Sequence, residues 1–329
     1  MNRVPYLDAA AVSSALTPLE AVEAIVAALS GGFDPASDIP RIAADTSTGQ
    51  FLLMPSEVGA QAGVKVVTVA PENSARGLPR IQATYLLYDA ATLSLRAILD
   101  GTALTSLRTP AVSIAAVRPA LALVTGPLRV VVFGAGPQAV GHAMTIRAVS
   151  ANPLGRLTFL VRSTSSAGAA RSIGHVVTAD SRAGRIALAE AHLIVCATTA
   201  RTPLFPPDAV RSDAIVIAVG SHEPDARELD GRLLGSASVI VEDIDTALRE
   251  AGDVILAHRD GLLDTGALLP LKDVVTGAAS LQRDRPVVFK GVGMSWQDLI
   301  IARAVLARSE DQDGGRGTTD TPVVSPADR

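Results

Sequence analysis

The stretch Arg129-Val130-Val131-Val132-Phe133-Gly134-Ala135-Gly136-Pro137-Gln138-Ala139 decides the fold. An apolar, β-rich run feeds directly into Gly-x-Gly-x-x-Ala, and a helical pattern follows. Strand, glycine turn and helix in that order are what a dinucleotide-binding βαβ unit requires. Gly134 permits the tight turn. Gly136 lets a pyrophosphate approach the backbone. Ala139, in place of a third glycine, still allows the helix to pack closely on the strand. The helix N-terminus over Pro137, Gln138 and Ala139 is where unpaired N–H groups would meet the phosphates. A glycine turn in an unrelated α/β domain is the alternative.

The surrounding pattern supports the first reading. Leu157 to Val161, Leu193 to Ala197, Ile215 to Val219, Val239 to Val241 and Val287 to Lys290 are short apolar runs that alternate with helical patterns. They predict a doubly wound parallel sheet. In NAD-preferring folds an acid ends the second strand and holds the ribose 2′-hydroxyl. Here that strand ends in Arg162-Ser163-Thr164-Ser165. A guanidinium and hydroxyls suit a 2′-phosphate, so NADP(H) is expected ahead of NAD(H). The alternative is that Arg162 is an ordinary exposed arginine.

Before residue 119 the texture differs. Thr17-Pro18-Leu19-Glu20 reads as a capping box with proline in the first turn. Leu19, Val22, Val26 and Leu29 continue that helix to Gly31-Gly32. Phe51 to Met54, Val64 to Val69, Gln82 to Tyr88 and Ser94 to Leu99 read as strands of a mixed or antiparallel sheet, with a hairpin turn at Asp89 to Thr92. A helix is expected from about Leu104 to Val117, which Pro110 either opens, with Thr109 as cap, or kinks. Trp296 to Ala307 reads as a closing helix that returns to this first domain. The expected α/β fold is therefore a Rossmann domain over residues 119–294 and a discontinuous α+β domain over 1–118 plus 295–308. A tail over 309–329, rich in Asp, Gly, Thr and Pro, is expected to be disordered.

Composition bounds the function. The chain has 329 residues, 48 % hydrophobic and 19 % charged, enough for a large core. A net charge of −4 without a basic run gives no sign of a nucleic-acid partner. Cys196, the single cysteine, fits a reducing compartment and reads as a small buried hydrophobe. Apolar runs are broken too early for a membrane span, the N-terminus lacks a signal peptide's apolar core, and a cytoplasmic location is expected. His142, His175, His192 and His258 are scattered without metal-site spacing, so no metal is expected. Glu242-Asp243 with Asp245 reads as a strand end and helix cap.

Several further strings occur in order: Gly63-Val64-Lys65-Val66-Val67 with Pro71-Glu72-Asn73, Gln82-Ala83-Thr84, Asp100-Gly101, Leu107-Arg108-Thr109-Pro110-Ala111-Val112-Ser113, Ala218-Val219-Gly220-Ser221, Arg227-Glu228-Leu229-Asp230, Glu250-Ala251-Gly252-Asp253 and Phe289-Lys290-Gly291-Val292-Gly293-Met294. From about Pro40 to Asp298 the chain resembles the ornithine cyclodeaminase/mu-crystallin family. The resemblance implies a homodimer whose first domain binds substrate and dimerises, with active sites in the cleft between the domains. It implies that Arg41, Lys65 and Arg108 grip a substrate carboxylate and crowd the reacting nitrogen. It also implies that Thr109 contacts the cofactor beside the phosphates. Thr198, Val219 and Gly220, at the ends of two predicted strands, complete the expected cofactor contacts. On residue chemistry alone, Lys65 inside an apolar strand either faces a cleft or snorkels from a sheet edge.

The member is narrowed by one string. The cyclodeaminase branch carries a general-base aspartate in Gly-small-Asp-x-Pro, whereas this chain reads Gly220-Ser221-His222-Glu223-Pro224. His222 at that position points to the ketimine-reductase branch, in which NADPH reduces a small cyclic imino acid at C2. Lys65 and His222 are the candidate catalytic residues; His222 either donates a proton or stands by at the cleft rim. Ornithine cyclodeamination, or amine-dependent dehydrogenation to alanine or an N-alkyl amino acid, is the alternative reaction. A mu-crystallin-like NADPH-dependent binding protein is the alternative class.

Overall fold

The computed structural model describes residues 4–282 and 284–315. It contains two sheets. The smaller has six strands: β1 (Tyr6–Leu7), β2 (Ile42–Thr46), β3 (Gly49–Val58), β4 (Gln61–Val69), β5 (Ile81–Asp89) and β6 (Leu95–Asp100). Their order is β1-β6-β5-β4-β3-β2; β2 to β6 form an antiparallel meander, and β1 joins β6 in parallel. The larger sheet has eight strands: β7 (Leu128–Phe133), β8 (Leu154–Val161), β9 (His175–Thr178), β10 (Leu193–Cys196), β11 (Ile215–Ala218), β12 (Ser238–Val241), β13 (Leu269–Pro270) and β14 (Val287–Lys290). They run in the order β13-β12-β14-β11-β10-β7-β8-β9, with every pairing parallel. The chain passes from β7 to β8 on one side, while β10 flanks β7 on the other. Ligands of doubly wound sheets bind at the crevice this reversal opens beyond the strand C-termini.

Ten helices cover these sheets among the described residues: α1 (Ala9–Ala15), α2 (Pro18–Ser30), α3 (Gly101–Leu121), α4 (Pro137–Val149), α5 (Arg182–Glu190), α6 (Gly231–Ser236), α7 (Ile244–Glu250), α8 (Gly252–Arg259), α9 (Leu271–Thr276) and α10 (Ser295–Gly315). The capping box of α2 is closed in both directions: Glu20 N donates to Thr17 Oγ1 at 3.3 Å and Thr17 N donates to Glu20 Oε2 at 2.9 Å. Central α3 touches β4, β5 and β6 of one sheet and β11 and β14 of the other. One continuous apolar core therefore runs through both, from Tyr85, Leu99 and Leu104 to Val130, Val195 and Phe289. The returning helix α10 packs on β3, β4, β5, α2 and α3, with Trp296 buried against Phe33 at a ring-centroid distance of 5.4 Å.

Of the two roles expected for Pro110 one drops out, and the expected start of the tail also fails. Pro110 does not open a helix at Thr109. The helix begins at Gly101, capped by Asp100, whose Oδ1 accepts from Ala103 N at 2.8 Å. Pro110 lies inside α3, and its missing N–H leaves the Ser106 carbonyl without its helical donor. Gly141 of α4 packs there: a Cβ on it would lie 3.2 Å from Ser106 O and 3.3 Å from Pro110 Cγ. Arg108 is consequently mid-helix, not beside a helix start. The second failure is the tail, expected from Ser309: α10 continues to Gly315, and residues 316–329 lie outside the described residues.

Candidate active site

The glycine turn after β7 has the geometry its sequence asks for. Gly134 has φ +102°, and a Cβ there would lie 2.6 Å from the Ala197 carbonyl oxygen at the end of β10. Only glycine fits. Gly136 is the N-cap of α4 without a side-chain capping bond, and the space before it is open. The backbone at the start of α4 is therefore open to close approach at Gly136, as an anion site at a helix N-terminus requires. Gln138 Oε1 is buried without a hydrogen-bond partner, a polar group that a ligand hydroxyl would satisfy. Ala139 is fully buried against the sheet. These residues fit a dinucleotide. Arg162 and Ser163 are exposed just past β8, whose Leu160 carbonyl accepts from Gly134 N at 3.0 Å.

Thr198, Val219 and Gly220 follow β10 and β11 at the next positions along the crevice. A residue that sequence reasoning passed over binds them together. The buried Glu228 carboxylate accepts from Thr198 N at 2.9 Å, Thr198 Oγ1 at 2.7 Å and Gly220 N at 2.7 Å. Its own N–H, with that of Leu229, donates to Asp253 Oδ1 at 2.8 Å. Asp253 pairs in turn with Lys290 at 3.1 Å, and Lys290 donates to Ser221 O at 2.6 Å. This network, fully buried at Glu228, Asp253 and Lys290, ties together the C-terminal ends of β10, β11 and β14. Burial pushes the Glu228 carboxyl above its usual pKa, against the pull of Lys290.

The substrate-side cations come from elements far apart in sequence. Met54, Lys65, Tyr85 and Leu99 stand side by side across β3, β4, β5 and β6, all buried. Lys65 is only 2 % exposed; it faces the interior and does not snorkel from an edge. Its Nζ reaches Asp298 Oδ2 on α10 at 2.7 Å and Thr105 Oγ1 on α3 at 3.2 Å. Burial lowers its pKa to about 8, partly countered by Asp298. Arg108 is also buried, with Nε 3.3 Å from Asp298 Oδ1 and Nη1 donating to Gln297 Oε1 at 2.8 Å. One carboxylate therefore bridges both cations. Arg41 pairs with Glu250 at 2.8 Å and donates to the carbonyls of Val292 and Gly293. The N–H groups of those two residues donate to Glu242, at 2.7 Å from Val292 and 3.0 Å from Gly293. Gly293 has φ +80°, and a Cβ there would lie 2.6 Å from Arg108 Nη1. Glycine makes room for the guanidinium.

Thr109 follows Arg108 and donates its hydroxyl to Thr105 O at 2.9 Å. His222 lies beyond β11 with its side chain open to solvent on one side. Protein on the other sides, then the Arg41 guanidinium, lower its pKa below the usual 6.5. Arg41, Lys65 and Arg108 lie within electrostatic range of one another, and His222 within range of Arg41. Asp298, Glu242, Glu250, Glu228, Asp253 and Lys290 were not singled out as site residues from sequence. A lysine in an apolar strand signals a buried partner, but Asp298 lies 233 positions away. Asp243 caps α7 as expected, accepting from Thr246 N at 2.8 Å. No cluster of metal-ligating side chains occurs among the described residues, and no single described helix is long and apolar enough to cross a membrane.

Known proteins resemble this chain in sequence and in fold. Delta(1)-pyrroline-2-carboxylate reductase 2 of Burkholderia ambifaria is 33 % identical over 270 residues, which cover 81 % of this chain and 83 % of that protein. The Delta(1)-pyrroline-2-carboxylate/Delta(1)-piperideine-2-carboxylate reductase of Azospirillum brasilense is 34 % identical, over 78 % of this chain and 79 % of its own. The structure of Thermococcus litoralis Delta(1)-pyrroline-2-carboxylate reductase in complex with NADH and L-proline superposes with a TM-score of 0.83 at 25 % identity, covering 94 % of this chain and 98 % of that one. The family model for ornithine cyclodeaminase/mu-crystallin matches residues 7–313. With its Rossmann-type sheet, glycine turn and buried cation cluster, the chain belongs to the ornithine cyclodeaminase/mu-crystallin family and is an NAD(P)H-dependent oxidoreductase of its imine-reducing kind.

Proposed function

We propose that this protein reduces a small cyclic ketimine, Δ1-pyrroline-2-carboxylate or Δ1-piperideine-2-carboxylate, to L-proline or L-pipecolate. The observation that carries this reading is the shared carboxylate of Asp298. Two buried cations, Lys65 and Arg108, divide one anion, which leaves a positive charge for a substrate carboxylate. Arg41 extends the cationic wall from the loop before β2. Together they orient the ring and crowd its nitrogen, so that the residues contribute placement and electrostatics. Bound NAD(P)H supplies the hydride. Gly134, Gly136, Pro137, Gln138 and Ala139 would hold its pyrophosphate, with Thr109, Thr198, Val219 and Gly220 along the rest of the crevice. Arg162 and Ser163, exposed just past β8, would meet a 2′-phosphate, and their chemistry supports NADPH over NADH.

His222 carries the argument against ornithine cyclodeamination. An imidazole of lowered pKa replaces the aspartate base of that branch, and reduction of an imine needs no strong internal base. The competing reaction is tested by supplying ornithine with oxidised cofactor and assaying ammonia. Ammonia release slower than imino-acid reduction supports the ketimine reading; faster release replaces it.

We also propose the division into a 1–118 plus 295–308 domain for substrate and dimerisation and a 119–294 domain for cofactor. Leu53, Val66, Leu86 and Ile98 lie on the sheet face opposite Lys65 and are only half-buried, while Ile42 and Phe51 are exposed. An apolar sheet face left half-covered in a single chain suits a second copy. Light scattering of the purified protein checks this: a dimer mass supports it and a monomer mass opposes it.

A further inference from the structure

The β4 interior holds one charged side chain, Lys65, and the groups around it are few. Arg108 and Thr105 face it from α3, Arg41 from the chain entering β2, Tyr85 from β5 and Asp298 from α10. Arg108 and Arg41 oppose a charge on Lys65, and burial opposes it more strongly. Tyr85 stays neutral: its buried hydroxyl has no hydrogen-bond partner among the described residues, and burial then Asp298 and the more distant Asp38 push its ionisation well above 10.0. Asp298, fully buried and 2.7 Å from Nζ, is the anion that holds the ammonium. Its second oxygen lies 3.3 Å from Arg108 Nε, an ion pair without a hydrogen bond, so the carboxylate also sits against the guanidinium.

We propose that Asp298 is a positioning residue for the reduction: it keeps Lys65 an ammonium within the buried cation cluster, held beside Arg108, and Lys65 passes a proton to the imine nitrogen as hydride reaches the adjacent carbon. This rests on the ketimine reading above. The C=N π bond breaks, and a C–H and an N–H bond form. The two electrons arrive with the hydride from the reduced cofactor, the proton comes from Lys65, and the lysine amine recovers a proton from water. A donor must carry its proton at working pH, which an unpaired buried lysine beside two arginines would not.

The test uses the full chain with selectively labelled lysine. Only Lys65, Lys272 and Lys290 are present, and Lys65→Met assigns the Lys65 signal. Asp298→Asn keeps the side-chain size and removes the charge; Asp298→Glu restores the charge. The Lys65 titration by NMR is expected to fall by about one pH unit or more in Asp298→Asn, since an opposite charge at this range is worth about 1–3 units. The alkaline limb of kcat/KM for the imino acid is expected to fall by the same amount, and Asp298→Glu to bring both back towards the original. An unmoved Lys65 titration in folded Asp298→Asn overturns the inference alone. A moved titration with an unmoved alkaline limb removes Lys65 as donor. A wild-type protein that reduces no imino acid at any pH instead overturns the ketimine reading, and the donor role with it.

Discussion

Lys65 on β4 and Asp298 on α10 are 233 positions apart in the chain and 2.7 Å apart in space. Their pairing joins the returning helix to the small sheet through a bond that has almost no contact with water. Removing one partner of such a pair leaves the other charge buried. Lys65→Met is therefore expected to lose about 3 kcal/mol of stability, the lower end of the range for a broken buried pair, because Arg108 still serves Asp298. Urea unfolding measures it; a loss below about 1 kcal/mol, the size of an exposed pair, contradicts the burial argument.

The two glycines of the nucleotide turn separate stability from binding. At Gly134, with φ +102° and Ala197 O in the way, alanine strains the backbone and is expected to lower the melting temperature. At Gly136, φ is −76° and the space is open, so Gly136→Val should leave the melting temperature nearly unchanged. It should weaken NADPH binding by about tenfold or more, roughly the 1–2 kcal/mol of lost backbone approach to a charged group. Equal effects of the two substitutions on binding and on stability would contradict this division.

Glu228 closes the crevice floor with charge-assisted bonds to Thr198 and Gly220. Glu228→Ala frees two strand-end N–H groups, those of the half-buried Thr198 and Gly220. Cofactor affinity is expected to fall by about tenfold to a hundredfold, from losing one or more bonds of about 1.5–3 kcal/mol. Calorimetric titration with NADPH reads it directly. Unchanged affinity would mean that the β10 and β11 ends are held without Glu228.

Stability should respond to acid through two groups of opposite sign. His142, fully buried between Gln138 O at 2.8 Å and Ser113 Oγ at 3.0 Å, has its pKa lowered by burial to about 4. Its contribution is present above pH 6.5 and is lost as pH falls towards 4, because the unfolded chain takes up the proton first. Over that span the loss approaches about 3 kcal/mol. Asp38 is raised by burial to about 6, so its contribution is full below 3.8 and disappears as pH rises through 6. It accepts from Ser56 Oγ at 2.7 Å and from Trp296 N at 2.9 Å. His142→Gln should therefore make stability rise, and Asp38→Asn should make it fall more steeply, as pH drops from 6 to 4. Denaturation midpoints across that range decide both signs.

Arg162 tests the cofactor preference. Arg162→Ala is expected to reduce kcat/KM with NADPH about tenfold or more, by losing a charged contact of about 1.5–3 kcal/mol, and to leave the NADH value nearly unchanged. An equal fall with both cofactors would place Arg162 away from the 2′-phosphate.

The Rossmann sheet was legible because its signals are local. A strand, a glycine turn and a helix occupy adjacent residues, and each buried strand is a continuous apolar run. The edge strands β9 and β13 were not, being short and without such a run. Nor was β2, whose Ile42-Ala43-Ala44-Asp45-Thr46 lies exposed at a sheet edge without an apolar alternation. Pro110 misled because its effect on α3 depends on a neighbour, Gly141, that only tertiary packing brings to the Ser106 carbonyl. Arg41, Lys65 and Arg108 could be named from the family resemblance. Their acids could not, since Glu250, Glu242 and Asp298 reach them across long sequence separations. A buried cation announces that a partner exists without saying where it lies.

The most direct measurement is the consumption of NADPH with Δ1-pyrroline-2-carboxylate and with Δ1-piperideine-2-carboxylate, in the absence of added ammonia. Rapid oxidation with at least one of them, saturable and abolished in Arg108→Ala, is the predicted result, and the ratio of the two rates sets the preferred ring. Binding of NADPH without its oxidation by either imino acid would contradict the ketimine-reductase account.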